Sequence, residues 1–148
     1  MKTDFSETLN QIKDLVKSNP ENLRLQICQL LKEEVYHYDW VGFYQLNDGV
    51  LHLGDYAGKA TDHTRIEVGK GVCGQVAEKK ETIIVQDVSQ EDNYIACSLD
   101  VQSEIVVPIL RRGEFIAELD IDSHSPAPFS EDDQIFLEQV CALVADSF

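Results

Sequence analysis

The sequence predicts an α+β domain, an antiparallel sheet with helices covering one of its faces. Two observations carry this. Apolar residues recur at helical spacing near both ends of the chain, and between them the period changes to strand-like runs folded back by tight-turn signals. At 148 residues, 43% hydrophobic and 26% charged, the chain reads as one domain, 1–148, large enough for a single buried core.

Phe5, Leu9, Ile12 and Val16 make residues 4–18 a helix, which Ser18-Asn19-Pro20 ends. Leu23, Ile27, Leu30, Leu31 and Val35 form one stripe of a second helix over 21–36. Trp40 to Leu46 and Val50 to Leu53 are strands, and Asn47-Asp48-Gly49 between them is a strong hairpin signal. Thr64 to Val68 reads as a short strand leading into a glycine segment. Val72 to Lys79 follows as a short helix and Thr82 to Val85 as a strand.

Residues 86–103 are polar and irregular, and a loop of that length inside a compact domain is usually functional. Together with the sheet face that the helices leave uncovered, it is expected to enclose a ligand. Glu104 to Leu110 and Glu114 to Asp122 form a second hairpin around Arg111-Arg112-Gly113. Pro108 within it implies an edge or a bulge. Ser130, with Asp133 at the third helical position, caps a last helix whose apolar face carries Ile135, Phe136, Val140 and Leu143.

The formal charge of −15 repels phosphate backbones and anionic lipid, so neither nucleic acid nor a membrane surface is expected as a partner. The first residues lack the apolar core of a signal peptide, and no apolar run approaches a membrane span. A cytoplasmic protein is the expectation. Its four cysteines, 28, 73, 97 and 141, never form a Cys-x-x-Cys pair, and no histidine lies near one at zinc-ligand spacing. Neither structural disulfides nor a metal or other cofactor is therefore expected.

Cys141 lies on the stripe of Leu137, Val140 and Val144, and Cys28 borders the stripe of the second helix. Both read as small hydrophobes in packing. Cys73 opens a short helix after a glycine turn. Either it is the small neighbour such a turn needs, or the helix's unpaired N–H groups hold it as a reactive thiolate. Cys97 sits among polar loop residues where no packing stripe claims it.

In Ile116 to Asp122, strand alternation puts Glu118, Asp120 and Asp122 on one face and Ala117, Leu119 and Ile121 on the other. One reading is a solvated acidic surface. The other is a cluster, joined by Glu104 of the partner strand, that holds a ligand's ammonium group or a protonated carboxyl for acid catalysis. Trp40, Gly42 and Tyr44 likewise share a face. They are either plain core or two aromatic walls with a notch between them.

Five segments, "DWVGFY" (39–44), "GKGVCG" (69–74), "IACS" (95–98), "SEIVVPI" (103–109) and "LDIDS" (119–123), occur in this order and closely resemble the free methionine-(R)-sulfoxide reductases. The resemblance runs from about residue 38 to 145. It implies a stand-alone GAF domain with helices behind its sheet and a closed small-molecule pocket in front. It further implies reduction of free L-methionine (R)-S-oxide, with Cys97 attacking the sulfoxide sulfur and Cys73 as a second pocket cysteine. Glu104, Asp120 and Asp122 match the carboxylates that hold the substrate and assist oxygen departure, and Trp40 and Tyr44 resemble the aromatic wall.

A thioredoxin or another thiol reductant is implied as partner, and a homodimer through the terminal helices is expected by analogy. The sequence departs from the family at one point. A third cysteine, in a "PACTRI"-like segment, is replaced here by His63 in Thr61-Asp62-His63-Thr64-Arg65-Ile66. Either Cys73 takes over as resolving thiol or an external thiol acts directly. His63 itself is either an exposed loop residue or a group that stabilises a thiolate at Cys97. The rival readings are a GAF module that binds a ligand without turnover, and a relative that lost activity with the missing cysteine.

Overall fold

The structure is a computed structural model that describes residues 4–90 and 100–148. Helices α1 (Ser6–Ser18) and α2 (Leu23–Glu34) precede strands β1 (Trp40–Asn47), β2 (Val50–Ala57) and β3 (Arg65–Glu67). Helix α3 (Gly71–Lys79), strands β4 (Ile83–Val85), β5 (Ser103–Arg111) and β6 (Glu114–Ser123), and helix α4 (Glu131–Val144) complete the fold. Among the described residues the strands form one antiparallel sheet in the order β3-β2-β1-β6-β5-β4. No helix among them is long and apolar enough to cross a membrane.

Both hairpins form where the turn residues place them. Asn47 pairs with Val50, so Asp48 and Gly49 alone make the first turn, and their φ angles of 53° and 77° match the twist of the flanking strands. Strand β2 runs four residues beyond its expected end. Its Tyr56 and Ala57 pair with Gly42 and Val41, an extension that alternation alone did not mark. Pro108 meets its expectation: β4 pairs with β5 only as far as Val106, which leaves Pro108 where β5 has no described neighbour on that side.

Alternation divides the sheet into two differently covered faces. Val41, Phe43, Ile105, Leu119 and Ile121 point to one side, where they pack on Ile12 of α1, Ile27 and Leu31 of α2, and Leu137 and Val140 of α4. Phe5, just before α1, stacks on Phe136 of α4 with centroids 4.3 Å apart, joining the first helix to the last. Cys28 and Cys141 are buried in this core, as expected of small hydrophobes. Helix α3 covers the opposite face, where Val72, Cys73 and Val76 pack with Tyr44 and Val106. Gly74 lets α3 come this close: a Cβ there would lie 2.6 Å from the Glu67 carbonyl oxygen.

The cap of α4 does more than the sequence indicated. Ser130 and Asp133 form the reciprocal capping box. The buried Asp133 carboxylate also accepts the Tyr38 hydroxyl at 2.7 Å and lies 2.7 Å from Nε2 of His37, fastening the α2–β1 connection to α4. Burial opposes its charge. The contacts with His37, Ser130 and Tyr38 outweigh that and hold the carboxyl below the usual aspartate range.

A carboxyl depressed in the folded state adds stability that is present above its unfolded pKa, near 4, and is lost as pH falls through the lower folded value. Asp133→Asn is therefore expected to cost about 2–4 kcal/mol at neutral pH. The loss should shrink below about pH 4. Urea unfolding of both proteins across pH 3–7 measures this, and a difference that did not vary with pH would count against it.

Candidate functional site

The site lies between α3 and the sheet. Strand register puts Trp40 opposite Asp122, Gly42 opposite Asp120, and Tyr44 opposite Glu118. On the other flank, Glu104, Val106 and Pro108 of β5 oppose the same three acids. The acidic face is not solvated: Glu104, Glu118, Asp120 and Asp122 are each 3% exposed or less. The covering helix and two neighbouring strands shield it from bulk solvent.

Cys73, at the third position of α3, reaches down to this row, its Sγ 4.0 Å from Oε2 of Glu104. Together with Asp120, Tyr44, His63 and Lys70 these residues line a cavity of about 10 Å³, room for the centre of roughly one water. Larger grooves lie elsewhere, such as 590 Å³ between the free edge of β5 and α4, but no comparable set of buried acids and thiol converges on them. Chemistry, not volume, marks the site.

Burial and like charges set the protonation of the cluster. Burial is the main cause that holds the Cys73 thiol far above its ordinary range, and Asp120, Glu118 and Glu104 add to it. Of the two readings of Cys73 this favours the small packed neighbour: the partial charge of a helix N-terminus is small beside desolvation and three nearby carboxyls. Glu118 is pushed well up by burial and then by Asp120, with the Cys73 thiol pulling partly back. Asp120 is raised by burial as well, against opposing contacts with Glu104 and Cys73. No oxygen of Glu118 or Asp120 has a hydrogen bond of good geometry among the described residues.

The aromatic residues separate. Tyr44 is fully buried and lines the cavity, and its hydroxyl donates to the His63 carbonyl at 2.7 Å, tying the 61–64 segment to the sheet. His63 is half-buried and lines the cavity, so it is not an exposed loop residue. Trp40 is not among the described lining residues. Its indole N–H donates to the Lys59 carbonyl at 2.9 Å, and its ring stacks on Tyr56 at 5.6 Å.

The expected notch at Gly42 is filled by the Trp40 ring itself, since a Cβ on Gly42 would lie 2.4 Å from Cη2 of Trp40. Asp122 is buried in the same acidic row but outside the described lining. Cys97, the expected nucleophile, lies outside the described residues. Glu118 was visible in the alternation but lies one residue before the motif that assigned roles to its neighbours, so it was given none.

A family model described as GAF domain matches residues 19–148, which extends the resemblance back through α2. The free methionine-R-sulfoxide reductase of Escherichia coli (strain K12) is 34% identical over 144 residues, covering 95% of this chain and 87% of its own. The chain belongs to the free methionine-R-sulfoxide reductase family. The Saccharomyces cerevisiae member of this oxidoreductase family is 37% identical over 87% of this chain and 73% of its own. Among solved structures, the Neisseria meningitidis reductase in complex with its substrate superposes with a TM-score of 0.91 at 34% identity. That match covers 100% of this chain and 92% of the other.

The tryptophan slot offers a direct test, because Trp40 is the only tryptophan and its emission reports on the slot. Gly42→Ala should expel the ring, red-shift the fluorescence and destabilise the fold by about 1–3 kcal/mol. Unchanged emission and melting temperature would show that the ring relaxes in place.

Proposed function

We propose that this chain reduces free L-methionine (R)-S-oxide to methionine by thiol chemistry, with Cys97 as nucleophile and the acidic cavity as substrate site. One observation carries the reading. In a chain of this reductase family, the Cys73 thiol and the carboxyls of Glu104 and Asp120, the latter raised in pKa, converge in one buried cavity. A carboxyl held neutral can hand a proton to a departing oxygen, which an ionised one cannot.

The Cys97 sulfur attacks the sulfoxide sulfur and forms a transient sulfur–sulfur bond. With proton assistance from the carboxyl cluster, the oxygen passes to the Cys97 sulfur. The methionine sulfur's bonds to oxygen and to Cys97 both break, and Cys97 is left as a sulfenic acid. Two electrons have passed from cysteine to substrate, and methionine leaves. A second thiol then condenses with the sulfenic acid, releasing water and forming a disulfide, and a thioredoxin-type dithiol reduces it. With His63 in the place of the usual cysteine, Cys73 is the other thiol the family places in the pocket. Its burial and raised pKa slow that role, so an external thiol competes for the sulfenic acid. Glu104, Asp120 and Asp122 hold the substrate, with Tyr44 and Trp40 as its aromatic surroundings. The cavity is smaller than the amino acid, so binding widens it. We further propose a cytoplasmic homodimer through the terminal helices, which sedimentation at micromolar concentration tests.

Consumption of the R and S epimers with dithiothreitol, then with thioredoxin, decides the main point. Turnover of the R epimer is expected. Turnover of neither would remove the enzyme reading and leave a ligand-binding module or a relative that lost activity with the missing cysteine. Cys97→Ser should abolish reduction, while Cys28→Ser and Cys141→Ser keep it. Of Glu104→Gln, Asp120→Asn and Asp122→Asn, the one that removes the proton donor should lower kcat by roughly 10²–10⁴ at saturating substrate.

Peptide mapping after a single turnover without reductant reads the recycling route. A Cys73–Cys97 disulfide marks Cys73 as the resolving thiol, and a dimedone-trapped Cys97 with Cys73 free marks direct reduction.

A further inference from the structure

We propose that Cys73, Glu104 and Asp120 form a three-ligand site for a thiophilic divalent cation of the zinc type. Sequence spacing gave no hint of it, because the donors come from α3, β5 and β6 and meet only in the fold. One sulfur and one oxygen from each carboxyl all lie within 4.8 Å of one another. A tetrahedral zinc with bonds of about 2.3 Å to sulfur and about 2.1 Å to oxygen needs donors about 3.5 Å apart. The three donors therefore have to draw together by about 1 Å on binding.

A second observation points to a ligand at the same place. Asp120 is 1% exposed, lines the cavity, and has no hydrogen bond of good geometry to either oxygen among the described residues, only the looser contacts with Glu104 and Cys73. A buried carboxyl so poorly satisfied is costly, and a cation in the cavity removes that cost. The cavity, about 10 Å³, suits a single ion.

The donor set selects the metal. Magnesium and calcium take six or more oxygens, whereas one thiolate with two carboxylates suits zinc and cobalt. Binding exchanges protons of the cluster for the metal, and zinc itself is not oxidised or reduced. The cation site stands on this geometry alone. That the cation and methionine sulfoxide exclude one another rests in addition on the reductase reading, and it makes zinc a reversible block on the reduced enzyme.

The reduced full-length chain is titrated with Co²⁺ as spectroscopic probe and with Zn²⁺ by calorimetry. One equivalent of Co²⁺ should give a thiolate-to-cobalt band in the near ultraviolet and tetrahedral bands in the visible. Cys73→Ser should lose the near-ultraviolet band, while Cys97→Ser, Cys28→Ser and Cys141→Ser keep it. Asp120→Asn, which preserves shape, should weaken Zn²⁺ by at least about tenfold, and circular dichroism checks that each variant is folded. Absence of the band, its loss in Cys97→Ser but not in Cys73→Ser, or unchanged affinity in Asp120→Asn overturns the site. Methionine sulfoxide is expected to displace the cobalt from the Cys97→Ser variant, which does not turn it over. If it does not while the Cys73-dependent band is present, the substrate placement fails and the metal site stands.

Discussion

Strand β6 is paired on both sides, by β1 and β5, so it spans the middle of the sheet with helices over both faces. Its side chains alternate strictly. Leu119 and Ile121 enter the core of α1, α2 and α4, and this fixes Glu118, Asp120 and Asp122 on the side covered by α3. A slip of one residue would drive three acids into the main core and is excluded energetically. The apolar half of the strand thus holds its acidic half in a buried position that those acids would not adopt alone.

Period and turn chemistry are local, and the elements that depend on them were legible. The stripes of α1, α2 and α4, both hairpins, the Ser130–Asp133 cap and the placement of Pro108 all follow from residues within a few positions of one another. Facing was legible too: alternation identified which acids and which aromatics share a side. What covers a face is a tertiary fact. A solvated acidic strand and a sealed one have the same alternation, and only the approach of α3, permitted by Gly74, distinguishes them.

Two alternatives at the site stay open in the sequence for the same reason. The helix that carries Cys73 is local, but the groups that govern its proton arrive from β5 and β6. The space beside Gly42 is local too, and it is taken by a ring two residues away on the same strand. Local reasoning sees the vacancy or the dipole and not the occupant or the opposing charge. The family motifs supplied Glu104, Asp120 and Cys73 as a group, and the fold placed them together. Glu118 shows the limit of motif transfer, since its position in the acidic row comes from strand geometry and not from a signature.

The ends of the sheet matter for the chain in company. A sheet edge carries unpaired amides that invite a second sheet, and α+β domains with six strands have two such edges. Here β3 is only three residues long and presents Arg65 and Glu67 outward. The stretch of β5 beyond β4 is interrupted by Pro108, whose nitrogen has no hydrogen to donate, and it ends at the exposed Arg111. The same proline that breaks the strand signal in the sequence thus denies a neighbouring molecule a continuous ladder.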